Sequence, residues 1–242
     1  MRTLLWLVTI AGLLMIGIGS TRVPVPAGGA VASLVAAQAP ASTGGPVFEV
    51  TVTNLTRGQQ FTPILVASHR PGLRIFTPGQ PASSQLATLA EEGDTAPLAA
   101  LLSSLPEVRD VAASGGLTDP GGSSTVVVRT GGPFNHLIVA AMLIPTNDGF
   151  FALNGVEGPT GNRTIVLRSP AYDAGSERND ETCASIPGPF FSECAGPGGG
   201  GKPGGGEGYV HIHAGIHGIG NFVESDRDWR NPVAEITIRR VP

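Results

Sequence analysis

Strict alternation of apolar and polar side chains, in short runs at both ends of residues 47–242, is the strongest constraint on what this chain can become. Phe48, Val50 and Val52 alternate with Glu49, Thr51 and Thr53, and near the C-terminus Ile236 and Ile238 alternate with Glu235, Thr237 and Arg239. A two-residue period places one set on one face of an extended strand and the other set on the opposite face, so each run predicts a half-buried strand. The first and last strands are expected to be neighbours. Residues 64–67, 125–128, 136–144, 150–153, 164–167 and 209–213 read as further strands, most of them bounded by Gly, Pro or Asn. About eight short strands predict an all-β fold, an antiparallel β-sandwich. With 35 glycines, 21 prolines and only 14% charged residues, an all-helical bundle is excluded.

Two stretches depart from the strand pattern. Residues 83–105 carry Leu86, Leu89, Ala90, Leu98, Leu101, Leu102 and Leu105 at helical spacing, interrupted at Gly93-Asp94, which predicts one or two short helices over an end of the sandwich. Residues 196–208 hold nine glycines and two prolines and read as a mobile loop. They lack the Gly-x-x-x-x-Gly-Lys-Ser/Thr order of a phosphate cradle. The triplets Asn54-Leu55-Thr56 and Asn162-Arg163-Thr164 are too common by chance to argue from.

At the N-terminus, an apolar run over residues 4–18 follows Arg2 and leads into small residues ending at Ala37-Gln38-Ala39. That layout predicts a secretory leader over residues 1–39, a linker over 40–46 and a single domain over 47–242. Fifteen apolar residues are short for a membrane span of about 20, so no span is expected in the mature chain, which would be secreted, periplasmic or held at the cell surface. Beyond residue 39 there are 13 basic against 19 acidic residues, a net charge of −6 that disfavours nucleic acid as a partner. Cys183 and Cys194, 11 positions apart with no second pair, predict a local disulfide in that oxidising compartment rather than a zinc ribbon.

Acidic residues at strand ends carry the first candidate chemistry. Asp148 lies in the turn after residues 136–144, and Asp173-Ala174-Gly175-Ser176-Glu177 follows residues 164–167. Carboxylates placed this way can converge on one point, and hard oxygen donors suit Ca²⁺ or Mg²⁺; Asp148 and Asp173 serve equally as turn caps.

The order of Phe48–Asn54, Gln60-Phe61-Thr62-Pro63, the Pro-x-x-Asp-x-Phe turn at residues 145–150, Asp173-Ala174-Gly175-Ser176-Glu177 and Ile236-Thr237-Ile238 resembles the N-terminal domain of the spondins in its bacterial form. The resemblance spans about residues 47–241, and the Asp-Ala-Gly-Ser/Thr-acid motif is its most specific part. It implies a β-sandwich that binds calcium through the strand-end aspartate and the first and last acids of the motif. Those roles fall on Asp148, Asp173 and Glu177. The turn reads Thr-Asn-Asp-Gly where the family usually has Ser-Pro-Asp-Trp, and Glu177 stands where animal members have Asp.

A second constellation is His211-Ile212-His213-Ala214-Gly215-Ile216-His217. On a strand His211 and His213 share a face, and His217 can fold back past Gly215, which would suit Zn²⁺ or Cu²⁺. One such strand is also similar to copper/zinc superoxide dismutases, but only His69 and His136 remain to complete a dismutase site; alternatively the imidazoles hydrogen-bond turns beside the carboxylates. No Gly-x-Ser-x-Gly elbow is present, and the adjacent Ser68-His69 is no triad. Asp226 and Asp228 beside Trp229 read as a turn anchored by the indole, with partner binding as the rival role. The expected function is therefore an exported, non-catalytic calcium-binding module for an extracellular ligand, with a metalloenzyme built on His211, His213 and His217 as the alternative.

Overall fold

A computed structural model describes residues 45–189 and 191–242; the expected leader and most of the linker lie outside them. In chain order the elements are β1 (Val47–Asn54), β2 (Gln60–Phe61), β3 (Leu65–His69), α1 (Ser84–Glu92), α2 (Ala96–Ser103), β4 (Val108–Ala113) and β5 (Ser123–Arg129). There follow β6 (His136–Ile144), β7 (Gly149–Glu157), β8 (Thr164–Ser169), β9 (Ala171–Asp173), β10 (His211–Ile212), α3 (Glu224–Arg227) and β11 (Ala234–Val241).

The alternation of the terminal strands does what it predicts. Along β1 every second residue is buried, and β1 pairs antiparallel with β11 so that Val50 faces Ile238 and Val52 faces Ile236. A four-stranded sheet in the order β5-β1-β11-β8 packs on a seven-stranded sheet in the order β10-β9-β7-β6-β3-β4, with β2 added beside β6. The fold is an all-β sandwich in which every named strand pair is antiparallel. Phe48, Val50, Val52, Val126, Val128, Ile236 and Ile238 of the smaller sheet meet Val66, Leu137, Val139, Ala141, Phe151 and Leu153 of the larger. Asn54, in the first glycosylation-type triplet, is buried and donates to the carbonyls of Gln59 and Thr118, so it is closed to modification.

The long apolar run of β6 has a second cause. Its other face, with Leu65 and Ala67 of β3 and Phe150 and Ala152 of β7, is covered by Leu86, Leu89, Ala90, Leu98 and Leu102 of the two helices. A strand buried on both faces loses its alternation. The helices thus lie on a sheet face, not over an end, because their apolar stripe is matched to that face. Ser83 Oγ caps α1 by accepting from Leu86 N at 3.2 Å, and Gly93 ends it in the left-handed region at φ 67°. A Cβ there would lie 2.5 Å from Thr62 Cγ2, so both conformation and space require glycine. Burying each of the four leucines stabilises the layer by about 2 kcal/mol.

Three strands lack a clear sequence signal: β2, β4 and β9. The strand expected at residues 209–213 shrinks to the two residues of β10.

Candidate functional site

The site lies where β6 turns into β7 and where β9 leaves the sheet. Thr146 Oγ1 donates to Leu143 O at 2.5 Å and accepts from Gly149 N at 3.0 Å, which folds the chain back between the strands. Gly149 permits a close approach: a Cβ there would lie 2.7 Å from Thr146 Oγ1 and 2.9 Å from His213 Cδ2. The turn leaves Asp148 fully buried at 0% exposure, with Asp173 and Glu177 at 1% each.

Backbone amides hold the three carboxylates in place. Asp148 Oδ2 accepts from Ser176 N at 2.7 Å, from Glu177 N at 3.0 Å and from Ser176 Oγ at 3.1 Å. Asp173 Oδ1 accepts from Gly175 N and its Oδ2 from Asn179 Nδ2, both at 2.7 Å. Glu177 Oε1 accepts from Lys202 N at 3.0 Å and Asn147 Nδ2 at 3.3 Å. Oδ1 of Asp148 and Oε2 of Glu177 are left buried with no hydrogen-bond partner.

Charge is concentrated here, and the ionisable group that faces it is His211, whose Nε2 lies 3.6 Å from Asp173 Oδ1. Burial, reinforced by Asp173, pushes the Asp148 carboxyl up to about 6. Burial likewise pushes Glu177 up to about 7, with Glu91 and Asp148 adding to it, and raises Asp173. Among the described residues no Lys or Arg side chain pairs with any of the three. Glu91 on α1 belongs to the same field: it is buried, and burial raises its carboxyl too. Hard, anionic, unpartnered oxygens are the donor chemistry that calcium takes, so the residues fit that ion.

The ligand oxygens of Asp148, Asp173 and Glu177 do not all lie within 4.8 Å of one another. Asp148 bonds to the Asp-Ala-Gly turn, its carbonyl accepting from Ala174 N and its carboxylate from Glu177 N. The one group of three donor residues whose atoms all lie within 4.8 Å of one another, among the described residues, is Asp173, Glu207 and His211. His211, His213 and His217 do not converge as expected of three imidazole ligands. His213 is buried against Trp229, its ring 5.0 Å from the indole, and Nδ1 accepts from Gly215 N at 3.0 Å. Burial pushes its imidazole down to about 4, so it is neutral near pH 7. His217 is exposed. His211 and His213 each contact backbone through Nδ1, at Ile212 O and Gly215 N.

The segment after Glu177 is pinned against the site. Cys183 and Cys194 form the expected disulfide. The glycine-rich stretch is no mobile loop: Gly199 N donates to Cys183 O at 2.9 Å, Gly204 N to Ser176 O at 2.7 Å and Gly208 N to Gly175 O at 2.8 Å. A Cβ at Gly206 would lie 2.6 Å from Gly175 O and 2.7 Å from Glu177 O, so glycine here serves close packing of two backbones. Glu181, at φ 53°, accepts from His217 N at 2.6 Å and Ile219 N at 3.0 Å and fixes the histidine loop. Asp228 accepts from Ile216 N and pairs with Arg230, whereas Asp226 is exposed. Trp229 is buried, which supports its reading as an anchor.

Sequence reasoning missed Glu91, Glu207 and Glu181. The available signals were a charge beside the leucine stripe of α1 and an acid four residues before His211. No helix among the described residues is long and apolar enough to cross a membrane. No curated protein matches the chain. The family model Spondin_N matches residues 53–178, more than half of the chain and inclusive of both acidic turns. The chain belongs to the spondin N-terminal domain family.

Proposed function

We propose that this protein is an exported, non-catalytic calcium-binding module that presents one end of its sandwich to an extracellular ligand. The observation that carries the reading is the pair of buried, unpartnered carboxylate oxygens on Asp148 and Glu177, beside a third buried acid, with no Lys or Arg side chain among the described residues paired to any of them. Asp148, Asp173 and Glu177 would hold the ion, which supplies positive charge and ties the β6–β7 turn to the Asp-Ala-Gly turn. The disulfide and the apolar run at residues 4–18 support export, and residues 47–242 form the exported domain.

Calcium bound only by the folded state raises the melting temperature; the gain is about 2.7 kcal/mol at a hundredfold excess over Kd. Melting curves in chelator and in millimolar calcium test this. Wild type should shift upward with calcium. Asp173→Asn should lose most of that shift while melting at the same or a slightly higher temperature in chelator, since one of several crowded charges is gone. Absence of a calcium shift in wild type sinks the reading.

A further inference from the structure

We propose that Asp173, Glu207 and His211 form a second cation site of a different class: a zinc-type site with one imidazole nitrogen and two carboxylate oxygens, open to solvent on one side. It goes beyond the calcium reading and shares Asp173 with it. Antiparallel pairing of β9 and β10 sets His211 directly opposite Asp173, which brings two side chains together on one face of the sheet. Glu207 arrives from the glycine-rich stretch, where Gly208, at φ 83°, turns the chain and is anchored to Gly175 O.

Two of the three donor separations are those of a metal shell, and all three lie within 4.8 Å. His211 Nε2 lies 3.3 Å from Glu207 Oε2 and 3.6 Å from Asp173 Oδ1. Zinc bonds of about 2.0–2.2 Å in a tetrahedron separate neighbouring donors by roughly 3.3–3.6 Å. Nε2 is a buried atom with no hydrogen bond of good geometry; burial opposes its charge, but Ile212 O and the two carboxylates outweigh that and favour the protonated ring, whose proton a metal would replace. The sister atom Nδ1 lies 2.9 Å from Ile212 O, and an Nδ1–H donated there leaves Nε2 facing the two carboxylates. A ligating imidazole is typically oriented this way, through the other ring nitrogen. Asp173 is oriented in turn by Gly175 N and Asn179 Nδ2.

Access is open. The Glu207 and His211 side chains are 41% and 27% exposed, whereas Asp173 forms the buried wall. An imidazole nitrogen with two carboxylate oxygens suits zinc better than calcium, which takes oxygen alone.

The test is a titration of ZnCl₂ into the disulfide-intact protein held in saturating calcium, followed by calorimetry and by melting temperature. Wild type should bind zinc and melt higher. His211→Ala and Glu207→Gln should each weaken zinc binding by more than about tenfold, since even residues outside the ligand shell change metal affinity by 10–100-fold. Both variants should keep the calcium shift, and His217→Ala should bind zinc as wild type does. No zinc binding by wild type, or equal binding by both ligand variants with native circular dichroism, overturns the site. Zinc binding that survives without any calcium shift would remove the calcium reading and leave this one standing.

Discussion

Glu193 shows how one ion pair can set the acid limit of the molecule. Its carboxylate takes two contacts from Arg227, at 2.6 and 2.7 Å, and both side chains are mostly buried. Those hydrogen bonds lower the Glu193 carboxyl to about 2. A group whose folded value is depressed adds stability above its unfolded value, and that stability is lost as pH falls through the folded one. Of order 2 kcal/mol should therefore be present above about pH 4.5 and disappear toward pH 2. Glu193→Gln should lower the melting temperature at pH 6 and lie much closer to wild type near pH 2.5; parallel curves at the two pH values would refute the assignment. At this scale, Asp148 and Glu177 drew notice in turns after strands and Asp173 at the end of β9, all three marked by the strand-end turn and the Asp-Ala-Gly motif. Glu91 did not, since it lies on a helix whose leucines read as packing, and Glu207 was hidden in a composition that signals freedom.

The glycine-rich segment is the element whose sequence reading most misleads. Nine glycines suggest a chain without fixed conformation, yet Gly206 is pressed on the backbone of the Asp-Ala-Gly turn while Gly196 has nothing within 4 Å of a built Cβ. Gly206→Ala should cost about 1–3 kcal/mol through overpacking, whereas Gly196→Ala should be silent in the same melting assay. Equal behaviour of the two would restore the mobile loop. Among regular elements, alternation revealed β1 and β11, short β-branched runs bounded by turn residues revealed β5 and β8, and the leucine spacing revealed α1 and α2 with their break at Gly93. β2 and β9, with two and three residues, are too short for a period to show. β4 is an edge strand that carries Arg109 and Asp110, so its apolar face is incomplete. Which sheet face the helices would cover was not legible, because that depends on the pairing of β3, β6 and β7.

For the whole molecule, pairing of the first and last strands closes the smaller sheet around its own termini, so β1 must be present for β11 to find its place. A leader removed anywhere before residue 47 leaves that pairing untouched. Intact-mass measurement of exported protein should thus give less than the full 24.7 kDa, by the loss of the first 20 to 39 residues. Recovery of the whole chain would refute cleavage. The strands β1 and β11 were legible because both alternate cleanly.

The two-residue pairing of β10 with β9 has a kinetic consequence. Such a short edge segment can detach without disturbing the sandwich core, so its amides should exchange with deuterium far faster than those of β6. A cation held by Asp173, Glu207 and His211 would have to leave, or be carried off, each time that edge opens. Slowed exchange at residues 203–213 on adding zinc, with β6 unchanged, would make the ion a latch whose release rate is set by local opening.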